Sequence, residues 1–375
     1  MSHFDSPQAQ CRFAIATCDI TPPVGIYHRM WGAATHDRSE GVHRPLRATA
    51  MWVEPLSADE RGAASAAEAS GAGAAGAGAD GTTGSTTTDG TPLILIALDH
   101  CLFGPPELEL VLAEATVVCG EPRENLVITF SHTHGAGLMM LDRVGLPGGD
   151  LIPGYLREIG RKAGELVRQV RESRVAATIV WGEGRCGLAA HRDLWDEERG
   201  EYVCGFNPGA VSDETIVVGR VTAEDGGATL ATIVNYACHP TTLSWDNRLI
   251  SPDYVGAMRE TVETATHAPC LFIQGASGEL GPVEGFTGDV EVADRNGRQL
   301  GYASLAALSA LAPPATRYQY EGAVVSGATI GVWRHEAVDD ARRAQLARFR
   351  HLRWDVLLDY RPELPTRESV AAERR

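Results

Sequence analysis

His132 and His134 stand two residues apart at the end of the apolar run Leu126-Val127-Ile128-Thr129-Phe130. On an extended backbone alternate side chains share a face, so both imidazoles can point the same way. Neutral imidazole is a borderline-soft nitrogen donor, and two converging rings make half of a zinc site. Active sites of α/β proteins gather where strands end, because the loops there leave room for substrate. An H-x-H pair also occurs as ordinary polar residues in a surface loop, so the spacing alone leaves both readings open.

Other apolar runs also end in polar groups. Leu93-Ile94-Leu95-Ile96-Ala97-Leu98 stops at Asp99-His100, and the run beginning at Leu230 passes straight into Cys238-His239. Leu271-Phe272-Ile273 ends in Gln274-Gly275-Ala276-Ser277-Gly278-Glu279. Histidines and a carboxylate around zinc would leave an open position for water, lowering its pKa to about 7. Each residue also has a plain structural role: His239 as a satisfied core histidine, Asp253 as a helix cap, Asp99 as a tie between loops. Ser277 lacks the G-x-S-x-G spacing of a nucleophile elbow, because Glu279 stands where the second glycine belongs. That argues against a serine triad.

The elements that must position these groups follow from periodicity. Strands are expected over 11–17, 48–53, 93–98, 126–130, 176–181 and 271–273. A hairpin is expected from 215–222 and 228–237, turning at Asp225-Gly226-Gly227. Helices are expected over 107–118, after Pro153 on the stripe Leu156, Ile159, Ala163, Leu166, Val167 and Val170, over 254–266 with Asp253 as N-cap, and over 292–311. An arginine-rich amphipathic helix is expected over 339–360. Residues 57–90 are low-complexity Ala, Gly, Ser and Thr, which cannot bury enough surface to offset ordering entropy, and read as a disordered insertion. The pattern is α/β, with mixed parallel and antiparallel sheets flanked by helices in one large domain over 11–313. Residues 314–375 follow as closing strands and a helix.

Composition narrows the function. A formal net charge of -16 argues against nucleic acid as a partner and against general attraction to anionic membranes. Lys162 is the sole lysine and sits on a solvated helix face, which argues against Schiff-base chemistry and lysine-bridged metal pairs. Eight cysteines without a C-x-x-C pair read as small apolar residues of a reduced, cytoplasmic protein. No signal-like segment and no run of transmembrane length is visible.

In order along the chain come Ile20-Thr21-Pro22-Pro23-Val24-Gly25, Gly41-Val42-His43-Arg44-Pro45-Leu46, the strand ending in Asp99, and Ser131-His132-Thr133-His134-Gly135. Then follow Cys238-His239-Pro240-Thr241-Thr242, Ile250-Ser251-Pro252-Asp253-Tyr254, and the block from Gln274 to Pro282. Together these resemble the neutral/alkaline, non-lysosomal ceramidase family over roughly residues 12–310. The resemblance implies a Zn2+-dependent amidase in which metal-activated water attacks an N-acyl bond. It implies His132 and His239 as metal ligands and His134 as the catalytic partner of the reacting carbonyl or water. Asp253 and Glu279 are then expected at the catalytic floor, with Gly275, Ser277 and Asp99 lining the substrate site.

Two departures stand beside it. The family's G-D-x-S-P serine is Gly281 here, and the glutamate and tyrosine ligands of the family's C-terminal region have no match in this chain. The expected activity is hydrolysis of an amide or ester in a small-molecule or lipid-like substrate, with oligomeric state left open. The alternative is a degenerate relative that binds a ligand or partner without turnover. A metallo-β-lactamase-like site is disfavoured because Gly135-Ala136-Gly137-Leu138 replaces the rest of H-x-H-x-D-H. An amidohydrolase would need later lysine or histidine ligands that are not found.

Overall fold

The computed structural model describes residues 2–57, 59–60, 83–87, 91–224, 227–350, 352–355 and 365–373. Its centre is an eight-stranded sheet: β1 Gln8–Asp19, β2 Arg47–Glu54, β3 Leu93–Leu98, β4 Leu126–Phe130, β5 Val175–Arg185, β6 Thr215–Ala223, β7 Thr229–Tyr236 and β8 Cys270–Gln274. The spatial order is β8-β7-β6-β5-β1-β2-β3-β4. The middle pairings are antiparallel, whereas β3–β4 at one edge and β7–β8 at the other are parallel. The mixed α/β architecture expected from the sequence is present.

Each parallel pair needs a crossover, and helices supply it. α1 (Pro105–Cys119) links β3 to β4, and α3 (Tyr254–Thr266) lies between β7 and β8. α1 starts on two prolines, whose missing N–H groups cost nothing in a first turn, and stops at Gly120 with φ 71°. α2 (Ile152–Glu172) packs on α1, and α4 (Val290–Ser309) packs on α3.

Strand alternation explains the layers. In β3, Ile94, Ile96 and Leu98 face the cluster containing α1 and α2, while Leu95 and Ala97 face the opposite way. Both faces are covered, so the run is continuously apolar. The inner faces of all parts of the sheet meet in a third cluster around Phe13, Val53, Ile179, Ile233 and Leu271. The sheet therefore curls upon itself, and β8 comes up against β3 and β4 despite lying at the other end of the strand order. Helices cover the outside of each half.

The region after 313 departs from expectation. Thr316–Ser326 and Ala328–Ala337 form an antiparallel hairpin, but the following helix covers Asp340–Leu346 rather than 339–360. Leu346 and Ala347 are buried and Phe349 packs on the inner cluster, so tertiary packing turns the chain inward. Leu352–Asp355 is then a strand paired with Thr83–Thr87. Residues 356–360 of the expected helix lie outside the described residues, as do most of the expected insertion and the Asp225-Gly226 turn. Among the described residues no helix is long and apolar enough to cross a membrane. All eight cysteines are free and six are buried, in keeping with small apolar packing.

Candidate metal centre and active site

The curl of the sheet brings together the C-terminal ends of both parallel pairs. His132 follows β4, His239 follows β7, and the loop to Ser277 follows β8. His132 Nδ1 donates to the carbonyl of Cys101 at 2.9 Å, and His239 Nδ1 donates to the carbonyl of Ser277 at 2.8 Å. A carbonyl can only accept, so these contacts assign the proton of each neutral ring to Nδ1 and leave Nε2 with a lone pair. The two Nε2 atoms face each other at 3.0 Å. Facing lone pairs repel, and a cation between them removes the conflict. Burial first, then the charges of Arg192 and His132, lower the pKa of His239 to about 4, which disfavours a proton on it at neutral pH.

His134 completes a triangle of rings, with centroids 5.3 Å from His132 and 5.5 Å from His239. Both of its ring nitrogens are buried and unpartnered. Burial first, then the neighbouring His132, His239 and Arg192, push its pKa down to about 3. The facing Nε2 atoms of His132 and His239, each with a lone pair, are a donor pair suited to zinc, with the unpartnered ring of His134 beside them.

The convergence does not arise from strand alternation, as the spacing suggested. β4 ends at Phe130, His132 takes φ 65°, and His134–Ala136 forms a single tight turn. A left-handed non-glycine residue is uncommon and costs on the order of 1–3 kcal/mol, so surrounding contacts must hold it. They do. The His132 N–H donates to the His100 carbonyl at 2.9 Å, Thr133 Oγ1 donates to the Ser251 carbonyl at 2.8 Å, and the Ser251 N–H donates to the Gly135 carbonyl at 2.9 Å.

Ser251 is itself braced. Its Oγ donates to His43 Nδ1 at 2.9 Å, and His43 Nε2 lies 3.2 Å from Asp294 Oδ1. This is a Ser–His–Asp series, but Ser251 is 0% exposed and its Oγ also accepts the Asp253 N–H. It holds a loop; it has no access to substrate.

The remaining expected site residues occupy various places. Asp253, 0% exposed, caps α3 through the Tyr254 N–H and accepts the Leu243 N–H. Asp99 forms a buried two-point ion pair with Arg259 of α3 and accepts the Arg47 N–H. Gly275 lies against Ala237, where an added Cβ would come within 3.0 Å of its backbone. Ser277 reaches the cluster through its carbonyl, while its Oγ accepts from Gln274. Glu279 is exposed, and its carbonyl accepts the Arg192 N–H at 2.9 Å. Among the described residues no carboxylate joins the histidines.

Three neighbours escaped sequence reasoning. Arg192 bears electrostatically on both His134 and His239. Trp31 lies over His134, ring centroids 4.8 Å apart, with Trp245 and Phe286 edge-on to Trp31. Neither residue sits in a periodic pattern or a ligand spacing, so no local signal marked them. Cys101 groups with His132 and His134, their ligand atoms lying within 4.8 Å. Burial pushes its thiol up to about 12, and its sulfur lies on the Nδ1 side of His132, so the Nε2 pair is the better metal site.

Among solved structures, the chain is similar to a neutral ceramidase from Pseudomonas aeruginosa, with TM-score 0.58 and 17% identity over 85% of this chain and 48% of that one. The fold is that of the neutral ceramidases. A structure described as ceramidase complexed with C2 matches with TM-score 0.56 and 17% identity, over 82% of this chain and 44% of that one. The chain thus spans about half the length of the ceramidases it matches. By sequence, no family model and no curated protein matches it. Within this ceramidase fold, the histidine triangle lies where the strand ends of both parallel pairs converge.

Proposed function

We propose that the protein is a zinc-dependent hydrolase that cleaves an N-acyl amide, or ester, bond in a small-molecule or lipid-like substrate. The observation that carries this reading is the 3.0 Å approach of two Nε2 atoms whose rings are both anchored through Nδ1 to backbone carbonyls. In this reading His132 and His239 hold the metal. Zinc there would polarise a substrate carbonyl and lower the pKa of water to about 7.

His134 acts as a neutral imidazole. A pKa of about 3 makes it a weak base, so its role is to donate a hydrogen bond to the reacting carbonyl oxygen. In the overall reaction the acyl carbon gains the oxygen of water, the C–N bond breaks, and the amine takes the proton. Asp253, Gly275 and Ser277 hold the loops around the histidines, Asp99 braces the end of β3 against α3, and Glu279 positions Arg192. The unit proposed to do this is 11–313, with 314–375 as a separate closing segment.

Metal content of purified protein, beside His132→Ala and His239→Ala, tests the reading. About one zinc per chain, lost in both variants, together with hydrolysis of N-acyl amides, is the expected result. Zinc bound without turnover would favour a ligand-binding relative, a reading supported by the lack of a carboxylate among the clustered groups. No zinc uptake at neutral pH would sink the proposal.

A further inference from the structure

Arg192 bears electrostatically on His134 and His239 and hangs from the Glu279 carbonyl, next to the Leu280 carbonyl that accepts the His239 N–H; its Nε is buried and without a hydrogen-bond partner. No carboxylate pairs with it among the described residues, whereas Arg44, Arg47 and Arg259 are each paired with one. Its main chain is fixed by the Glu279 carbonyl. Its side chain passes Gly281, where an added Cβ would stand 3.8 Å from Arg192 Cδ and 3.9 Å from Cβ. Gly281 has no side chain to offer the arginine a partner.

A partly buried guanidinium without a counter-ion carries a desolvation cost that a planar anion offsets, and a carboxylate matches its fork in two hydrogen bonds. Beside the same histidines, Trp31 with Trp245 and Phe286 forms an aromatic wall suited to an apolar group. A purely aliphatic amide would leave Arg192 unsatisfied. An N-acylated amino acid satisfies both features.

We propose that Arg192 binds a carboxylate carried by the substrate, so that the preferred substrate class is an N-acyl amino acid with its apolar acyl group on the aromatic wall. This rests on the hydrolase reading for turnover, but the anion site stands on binding alone. The test measures binding of N-benzoylglycine and of its uncharged counterpart, N-benzoylglycinamide, by calorimetry. Wild type, Arg192→Gln and Arg192→Lys are compared, each zinc-loaded and metal-free.

The acid is expected to bind wild type about 10- to 100-fold more tightly than the amide, with and without zinc. Arg192→Gln erases that preference, and Arg192→Lys, which keeps the charge but loses the fork, weakens acid binding by about tenfold. Equal binding of acid and amide to wild type overturns the proposal, even if neither variant folds. So does an acid preference that survives Arg192→Gln or appears only with zinc. Arginine-dependent acid binding without cleavage would sink the hydrolase reading and leave the anion site standing. Cleavage of neutral amides with no acid preference would do the reverse.

Discussion

His132 Nε2 and His239 Nε2 approach to 3.0 Å across 107 residues of sequence, each ring held from behind by a main-chain carbonyl. Carbonyl anchors fix tautomer and orientation before any ion arrives, so the site is organised by the fold. A metal that binds only the folded state stabilises it by mass action, by about 4 kcal/mol at a thousandfold excess over Kd. Zinc is therefore expected to raise Tm in a concentration-dependent way, and a chelator to reverse it. In His132→Ala and His239→Ala the zinc-dependent rise disappears, whatever the Tm of the metal-free variant. A rise that persists in both would place the ion elsewhere.

Acid sensitivity follows from burial. His28, His100 and His239 are lowered to about 4 and His134 to about 3, in each case chiefly by desolvation. Below the unfolded value of 6.5 the unfolded chain binds protons that the folded chain refuses, so stability present above pH 6.5 is lost as pH falls toward 4. Asp253 works the other way. Burial raises it to about 6, so its contribution falls as pH rises from about 4 to 6. Four groups outweigh one. Unfolding of the metal-free protein at pH 5 should take up about three protons net from these five groups. Denaturation midpoints measured between pH 4.5 and 7.5 would read this slope; a flat profile would contradict it.

The Asp99–Arg259 pair is fully buried and joins the end of β3 to α3. Removing one member of such a pair leaves an uncompensated charge and costs about 3–5 kcal/mol. Asp99→Ala is expected to lose stability on that scale in urea unfolding, while the protein that remains folded keeps wild-type zinc affinity. A specific loss of zinc affinity at unchanged stability would instead move Asp99 into the site.

Gly135 lies where the histidine loop meets the 251 loop, and a Cβ there would stand 2.7 Å from the Ser251 carbonyl oxygen. Backbone cannot yield as a flexible side chain can. Gly135→Ala should cost about 1–3 kcal/mol and also weaken zinc binding, because the displaced loop carries both His132 and His134. Stability and zinc affinity both unchanged would show that the loops are not so tightly clasped.

Gly281 is the contrasting case, with nothing closer than 3.8 Å to an added Cβ. Gly281→Ser is expected to fold normally, with stability within about 0.5 kcal/mol of wild type. Thermal unfolding checks this directly, and a loss several times larger would mean the space is not there.

Much of the scaffold was written locally. The continuous apolar run of 93–98 marks a strand covered on both faces, and the helical stripe from Leu156 to Val170 states which face of α2 is buried, because such patterns leave a mark in any short window. The prolines opening α1 and the Asp253 cap of α3 are equally local. The helix expected to run to 360 failed where Phe349 found a place in the inner cluster, since propensity yields to long-range packing.

For the site, the sequence by itself determined which residue types stand at the strand ends: His132, His134, His239 and the loop through Ser277. Tertiary structure alone decided that they meet. That meeting depends on eight strands pairing in register and on a curl that brings β8 against β4, both sums over contacts distant in sequence. It also decided how His132 and His134 converge, through a left-handed residue and a tight turn that no period-2 pattern encodes. Asp99 became a brace because Arg259 lies opposite it. Arg192 and Trp31 joined the histidines because loops from other parts of the chain carry them there. Such proximity is a property of packing, and nothing in a short stretch of sequence records it.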